Sequence, residues 1–195
     1  PQAILDGTIS DPVIVKLKSE AGITLERINY SDLRSIYPAV SQAAFALAYL
    51  IEPFSLDAWR VVLLVLEVIT MALIMVLLSV LKKPLIWSCL YWWNPIVIKE
   101  ITNSAHMEPA LMVPVLGALV LAIKSRFLAA SGVAALAVAA KVWPLLVLPS
   151  ILRPLMAQPA KLVLAIMLTG IIIAGLYWPI ATAQLDSSSG LVAFS

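Results

Sequence analysis

The residues best suited to chemistry lie in one short segment, KEITNSAHME, at positions 99–108. It contains Lys99, Glu100, Asn103, His106 and Glu108, and His106 is the only histidine in the chain. An imidazole beside carboxylates can orient a hydroxyl group, transfer a proton or hold a divalent ion. A stable zinc site is not expected, because it needs three or four close ligands and only His106 and Glu108 lie within a few residues. We predict catalytic roles for His106, Glu108 and Glu100. Asn103 and Lys99 are predicted to bind substrate.

Two further ionisable residues interrupt apolar runs, where a charge at the centre of a membrane helix costs on the order of 3 kcal/mol. Glu67 is either an interfacial carboxylate bonded to a neighbouring helix or a substrate-binding residue of the site. Lys141 follows an alanine-rich run and precedes Trp143 and Pro144. A lysine at such a bend suits an anion such as phosphate, although it could also extend to the lipid headgroups. We favour phosphate binding by Lys141.

The elements that must position these residues are unlike those of a soluble domain. The chain has 195 residues, of which 62% are hydrophobic and 12% charged, whereas soluble domains are about half apolar and a quarter charged. A soluble enzyme, a disordered chain and a disulfide scaffold are disfavoured, the last because Cys89 is the only cysteine. The net charge of +2 gives no reason to expect nucleic acid as a partner. The predicted fold class is all-α, a polytopic transmembrane helical bundle.

The chain divides into a polar and an apolar region. Residues 1–37 are too polar to cross a bilayer and are predicted to form a non-cytoplasmic loop, with a short helix over 12–20 begun by Asp11 and Pro12. Residues 38–195 form the predicted transmembrane domain of about five spans, each requiring about 20 apolar residues. The run 38–51 is short and is predicted to be a juxtamembrane helix. The predicted spans are 61–81, 84–98, 107–123, 162–180 and a pair, 127–140 and 142–152. That pair is either two short spans joined by a tight turn or one interrupted helix.

The charged residues between the apolar runs orient the predicted spans. Basic residues form three clusters, which predict cytoplasmic loops: Lys82 with Lys83, Lys124 with Arg126, and Arg153 with Lys161. Acidic residues occupy the alternate loops: Glu52 and Asp57, Glu100 and Glu108, and Asp186. The loop of residues 1–37 and the segment around His106 are therefore predicted to lie outside the cytoplasm.

Three segments resemble, in order, motifs of the bacterial polytopic mannosyltransferases of the GT-C superfamily. They are RINYSDLRSIYPAVSQAAFALA at 27–48, YWWNPIVIKEITNSAHMEPAL at 91–111 and KVWPLLVLPSILR at 141–153. The chain departs from the family pattern at four positions: Ala39 stands for a second proline, Ala105 for the glycine before the histidine, Glu108 for aspartate and Trp143 for tyrosine. The resemblance covers most of the chain from residue 27 to residue 153.

The resemblance implies an enzyme that transfers a sugar, commonly mannose, from a polyprenyl phosphate carrier to a lipid or glycan acceptor. Transfer would occur on the non-cytoplasmic face of a bacterial cytoplasmic membrane, as part of building the cell envelope. Lys141, Arg34 and Lys99 would meet the phosphate, and Tyr37 and Asn29, within the first motif, would bind substrate. No cofactor is implied with certainty, and a divalent cation stays an open alternative. The family's catalytic base is an aspartate early in its first outer loop, so the chain is expected to be a fragment that lacks this base and is inactive alone.

Two other classes of protein remain as alternatives. In a transporter or flippase subunit for a lipid-linked or anionic substrate, Glu67 and Lys141 would serve the passage of ions or substrate. Such proteins often contain two related halves, but the sequence shows no internal repeat. A non-catalytic membrane scaffold would leave the KEITNSAHME cluster without a purpose at a costly location. The large polar first loop favours the enzyme.

Overall fold

The computed structural model describes residues 11–27, 35 and 37–183, and every regular element in these residues is helical. Near the amino terminus, helix α1 spans Pro12–Ala21 and the short helix α2 spans Ile23–Glu26. The backbone N–H of Val13 donates to Oδ1 of Asp11 at 2.8 Å, and Pro12 occupies the first turn, where its missing N–H is not needed. The helix predicted over 12–20 is therefore confirmed, with Asp11 as its cap.

The apolar region contains the remaining helices. They are α3 (Ala39–Ile51), α4 (Leu56–Val80), α5 (Cys89–Trp92), α6 (Pro95–Val97), α7 (Glu108–Ile123), α8 (Phe127–Val138), α9 (Leu148–Leu152) and α10 (Pro159–Ala183). Within the described residues, two segments are long and apolar enough to cross a membrane, namely Leu56–Val80 and Pro159–Thr182. Only 22% and 11% of their most apolar windows are buried within the protein. A core helix of a soluble protein would be mostly buried, so this exposure favours contact with lipid.

The predicted span 84–98 is wrong as a single helix. It is divided into a 3₁₀ turn at Leu85–Ser88, the short helices α5 and α6, and the start of a π-helix at Ile98–Asn103. Pro95 has no backbone N–H to continue a preceding helix, and the Asn94 side chain starts α6 by accepting from the N–H of Ile96 at 2.9 Å. These two residues account for the break between α5 and α6.

The segments 127–140 and 142–152 are not one helix: Leu148 and Ile151 belong to the same buried cluster as Ala130 and Ala134. The chain therefore turns back near Lys141, as in the predicted alternative of two short segments joined by a tight turn. Helix α8 ends at Val138, and the chain continues as a 3₁₀ segment at Trp143–Val147 and then α9. Pro144 and Pro149 lie in the first turns of the latter two elements, where proline is tolerated. Neither proline has the backbone N–H that would continue a preceding helix. Helices α7 and α8, with 16 and 12 residues, are shorter than a full span.

The helices pack in the order α4, α7, α8 and α10, with α3 against α4. The buried positions of α8 carry small side chains, including Ala130, Ser131, Ala134 and Ala135, each at most 3% exposed. Small residues let helix backbones approach closely, and close packing is what holds helices together in a membrane. The core is therefore centred on α8, whose small side chains allow the neighbouring helices to pack closely.

The start of α3 is joined to the end of α8. Pro38 cannot cap α3 with a side-chain hydrogen bond, and the backbone N–H of Val40 donates instead to the carbonyl of Ala139 at 3.1 Å. The hydroxyl of Ser41 donates to the carbonyl of Ala140 at 2.9 Å. Carbonyl groups after the end of α8 thus accept hydrogen bonds from residues at the start of α3, where the first backbone N–H groups have no partner within the helix. This junction fixes the position of Lys141, the next residue along the chain.

Replacing Ala135 with leucine should destabilise the protein by about 1–3 kcal/mol, because a larger side chain must displace packed neighbours. Ala135 is 0% exposed, whereas Ala129 of the same helix is exposed, so Ala129→Leu is the matched control. Thermal unfolding in detergent measures both variants. Equal stability of the two would show that α8 is not closely packed.

Candidate functional site

The segment that carries the predicted catalytic cluster is a π-helix followed by a tight loop. The π-helix spans Ile98–Asn103 and includes Lys99 and Glu100. Such wider turns are uncommon and frequently occur at functional sites. The backbone N–H of Ser104 donates to the Lys99 carbonyl at 2.9 Å, and that of His106 donates to the Glu100 carbonyl at 3.0 Å. These bonds fold the chain back, so that His106 returns to Glu100.

Glu100 lies between a lysine and the histidine. Its Oε2 atom is 3.1 Å from Nε2 of His106, and its Oε1 atom is 3.3 Å from Nζ of Lys99. The His106 side chain is 57% exposed, so it can reach a ligand while one edge of its ring contacts the carboxylate. A carboxylate at Nε2 favours a proton on that nitrogen and leaves Nδ1 as an acceptor. Glu100 can therefore orient His106 for contact with a hydroxyl group.

A separate ion pair joins Lys141 to Glu108. The Nζ atom of Lys141 donates to Oε1 of Glu108 at 2.7 Å, and the two side chains are 50% and 41% exposed. Glu108 is the first residue of α7, where a negative charge is favoured, and Lys141 follows the carboxyl end of α8, where a positive charge is favoured. The structure thus brings together two residues separated by 33 positions in the sequence.

Of the other predicted site residues in this part of the chain and in the first motif, Asn103 and Tyr37 are described. Asn103 is exposed at the end of the π-helix. Tyr37 precedes α3, and its ring packs edge-on against Phe45 with centroids 5.4 Å apart. Asn29 and Arg34 lie outside the described residues, as does the acidic Asp186.

Glu67 belongs to a separate, buried environment within α4. One of its oxygens accepts a hydrogen bond from the Tyr91 hydroxyl at 2.9 Å. It also lines a cavity of about 320 Å³ together with Trp92, Trp93 and Arg60. This matches the predicted alternative of a carboxylate bonded to a neighbouring segment. The role of Tyr91 as its partner was not predicted, because sequence spacing does not show which side chain reaches across.

Trp59 is a site neighbour that sequence reasoning missed. Its indole N–H donates to the carbonyl of Ala105 at 2.9 Å, which ties α4 to the loop that carries His106. The only signal in the sequence is an aromatic residue near the start of an apolar run, and this also describes an ordinary membrane-interface residue.

Side chains of the types that bind metals are not clustered within the described residues. No group of three or more histidine, cysteine, aspartate or glutamate side chains is close enough within them to hold a metal ion. Both oxygens of Glu100, and one oxygen of Glu108, already contact cationic or imidazole groups. What the arrangement offers is paired acids and bases that can bind hydroxyl groups and an anion.

Comparisons of the chain with protein-family models, with curated proteins and with solved structures found no match.

Ala105 adopts a left-handed backbone conformation, with φ of 56°. Left-handed geometry costs about 1–2 kcal/mol for a residue with a Cβ atom, so Ala105→Gly should stabilise the protein by about 1 kcal/mol. The control Ala129→Gly, at an exposed position inside α8, should instead destabilise it by about 0.5–1 kcal/mol. Thermal unfolding in detergent compares the two. A loss of stability in both variants would contradict the geometry of this loop.

Proposed function

We propose that the protein is an integral membrane glycosyltransferase that transfers a sugar from a polyprenyl phosphate donor to a lipid or glycan acceptor on the non-cytoplasmic face. Mannose is the donor sugar that the sequence resemblance implies. Two contacts carry the proposal: the His106 imidazole lies against the Glu100 carboxylate, and the Glu108 carboxylate, two residues further along the chain, is paired with the Lys141 ammonium group.

The membrane location is supported by the surfaces of the two long helices. Aliphatic side chains on both are about half exposed, among them Val61, Leu64, Val65 and Val68 of α4 and Val163, Leu164, Ile166 and Met167 of α10. Contiguous apolar surface of this extent is unfavourable in water and favourable against lipid. We infer that α7 and α8, and the broken segments beside them, also lie within the bilayer.

The proposed topology is supported by charges at the helix ends. Glu108 and Lys141, at one end of the α7 and α8 pair, are in contact with one another. The opposite ends of these two helices carry Lys124 and Arg126, which fit a cytoplasmic location. The candidate site then faces away from the cytoplasm, where a lipid-linked donor can be reached without a soluble nucleotide.

The reaction requires an acceptor hydroxyl oxygen to attack the anomeric carbon while the bond from that carbon to the phosphate oxygen breaks. The electron pair leaves with the phosphate, and the hydroxyl proton passes to a carboxylate base. Lys141 has three N–H donors, and among the described residues it donates to Glu108, which leaves two donors there that could bind the departing phosphate. Glu100 and His106 would position the sugar hydroxyls. The resemblance assigns the base to an aspartate early in the family's first outer loop.

A second candidate, a transporter of a lipid-linked or anionic substrate, is supported by Glu67. A buried carboxylate within a helix of spanning length often marks a pathway for ions or protons. However, Glu67 is bonded to Tyr91 and Lys141 is bonded to Glu108, so the two charges proposed for passage serve different contacts. Substitution of Glu67 alone would impair a transporter but leave the transfer site intact.

Replacing His106 with alanine, or Glu108 with glutamine, should lower sugar transfer from a polyprenyl phosphate donor at least 100-fold, because acid–base and positioning groups contribute roughly 10²–10⁴-fold to rate. Transfer by the full-length protein in isolated membranes, with radiolabelled polyprenyl phosphate mannose as the donor, measures this. The amount of each variant in the membrane fraction should equal that of the parent.

Lys124→Ala is the matched control, because Lys124 is exposed and follows the opposite end of the helix that Glu108 begins. It should retain the parent rate. Turnover within threefold of the parent in both His106→Ala and Glu108→Gln would remove this cluster from the reaction.

A further inference from the structure

A second cavity lies between α3 and the start of α4 and is distinct in chemistry from the ion pairs. It has a volume of about 430 Å³ and is lined by four aromatic side chains, Phe45, Tyr49, Phe54 and Trp59. All four are half-buried, so part of each side chain remains accessible. Ligand pockets typically combine aromatic walls with a few polar groups of fixed position.

The aromatic rings hold one another in place. Phe45 and Trp59 are tilted at 51° with centroids 4.8 Å apart, and Tyr49 and Phe54 meet edge to face at 5.5 Å. Phe54 adopts a left-handed backbone conformation with φ of 56°, which is unusual for a bulky residue and occurs where the surroundings demand it. Here it accompanies the contact of the Phe54 ring with Tyr49. The walls of the cavity are therefore preorganised.

Polar groups complete the lining. Gln42 lines the cavity and donates through Nε2 to the Tyr37 carbonyl at 3.1 Å, which fixes the plane of its amide. Glu52 contributes an exposed carboxylate at the end of α3. The Tyr49 hydroxyl donates to Oε2 of Glu20 at 2.8 Å, and this hydrogen bond raises the pKa of Tyr49 above its ordinary value. An amide and a carboxylate provide both donors and acceptors for hydroxyl groups.

The cavity adjoins the candidate site through Trp59. The ring of Trp59 forms one wall, while its N–H is bonded to the carbonyl of Ala105, the residue before His106. A ligand stacked on Trp59 would thus be held beside the loop that carries the imidazole. Any change in the loop would also be transmitted to that wall.

We infer that this aromatic cavity binds a saccharide, namely the acceptor sugar of the transfer reaction, and this inference rests on the proposed function. A pyranose ring presents C–H groups that pack on aromatic faces and hydroxyl groups that bond to amides and carboxylates, so it matches both parts of the lining. Four aromatic rings beside a carboxylate could also hold a quaternary ammonium ion. The polar amide of Gln42 favours the saccharide, and the experiment separates the two.

Direct binding tests the cavity without requiring transfer. Mannobiose should bind the purified protein in detergent, as measured by saturation-transfer NMR titration, whereas choline should not. Phe45→Ala and Gln42→Ala should each weaken binding of mannobiose at least fivefold. Phe127→Ala, which removes a half-buried ring at the start of α8, is the matched control and should bind as the parent does. Absence of mannobiose binding, or binding of choline instead, would overturn the inference.

Measuring the KM values of the transfer reaction distinguishes an error in the assignment of the cavity from an error in the proposed function. With mannobiose as the acceptor probe, Phe45→Ala and Gln42→Ala should raise the acceptor KM at least fivefold and leave the donor KM unchanged. An unchanged acceptor KM, in a protein that does transfer sugar, would overturn the acceptor site alone. Binding of mannobiose that responds to both substitutions, in a protein that transfers no sugar, would support the saccharide site and refute the transferase.

Discussion

The meeting of two helix ends, the start of α3 and the end of α8, determines the geometry of the candidate site. Proline at position 38 leaves α3 without a side-chain cap, and the carbonyls of Ala139 and Ala140 accept from Val40 and Ser41 instead. The groups at each end have no partner within their own helix, so each must find one elsewhere. Helix α8 ends at Val138, just before this junction, and Lys141 lies opposite Glu108, the first residue of α7. The Glu108–Lys141 ion pair is a consequence of this junction.

The same requirement accounts for the irregular backbone elsewhere. Prolines and Asn94 break the segment between α4 and the π-helix, and the chain then folds back through Ala105 so that His106 returns to Glu100. Trp59 holds this loop against α4 by its bond to the Ala105 carbonyl. Broken helices at such places would expose polar backbone to lipid unless they line a site or pack against protein. The ionisable residues Glu100 and His106 thus lie in the same irregular segment.

Local signals in the sequence predicted the local structure well. The Asp11–Pro12 cap of α1, the two long apolar helices and the interruption near Lys141 follow from residue types and spacing alone. The segment predicted as a span at 84–98 is not one continuous helix, because hydropathy counts apolar residues and does not register that Pro95 and Asn94 end a helix. Contacts between residues distant in sequence could not be predicted, because they depend on how the helices pack. They are those of Lys141 with Glu108, Tyr91 with Glu67 and Trp59 with Ala105. The cluster at 99–108 was identified as a group, but the sequence did not show that Glu100 contacts Lys99 and His106 while Glu108 pairs with Lys141.

The proposed site faces away from the cytoplasm. This requires the chain to cross the membrane between Lys83 and Ser104. Both residues are exposed, and replacing the single Cys89 with serine leaves a background free of thiols. A cysteine introduced at Ser104 should react with a membrane-impermeant thiol reagent in intact cells. A cysteine at Lys83 should react only after the membrane is opened. Reaction of both from the same side would contradict the topology and, with it, the placement of the candidate site.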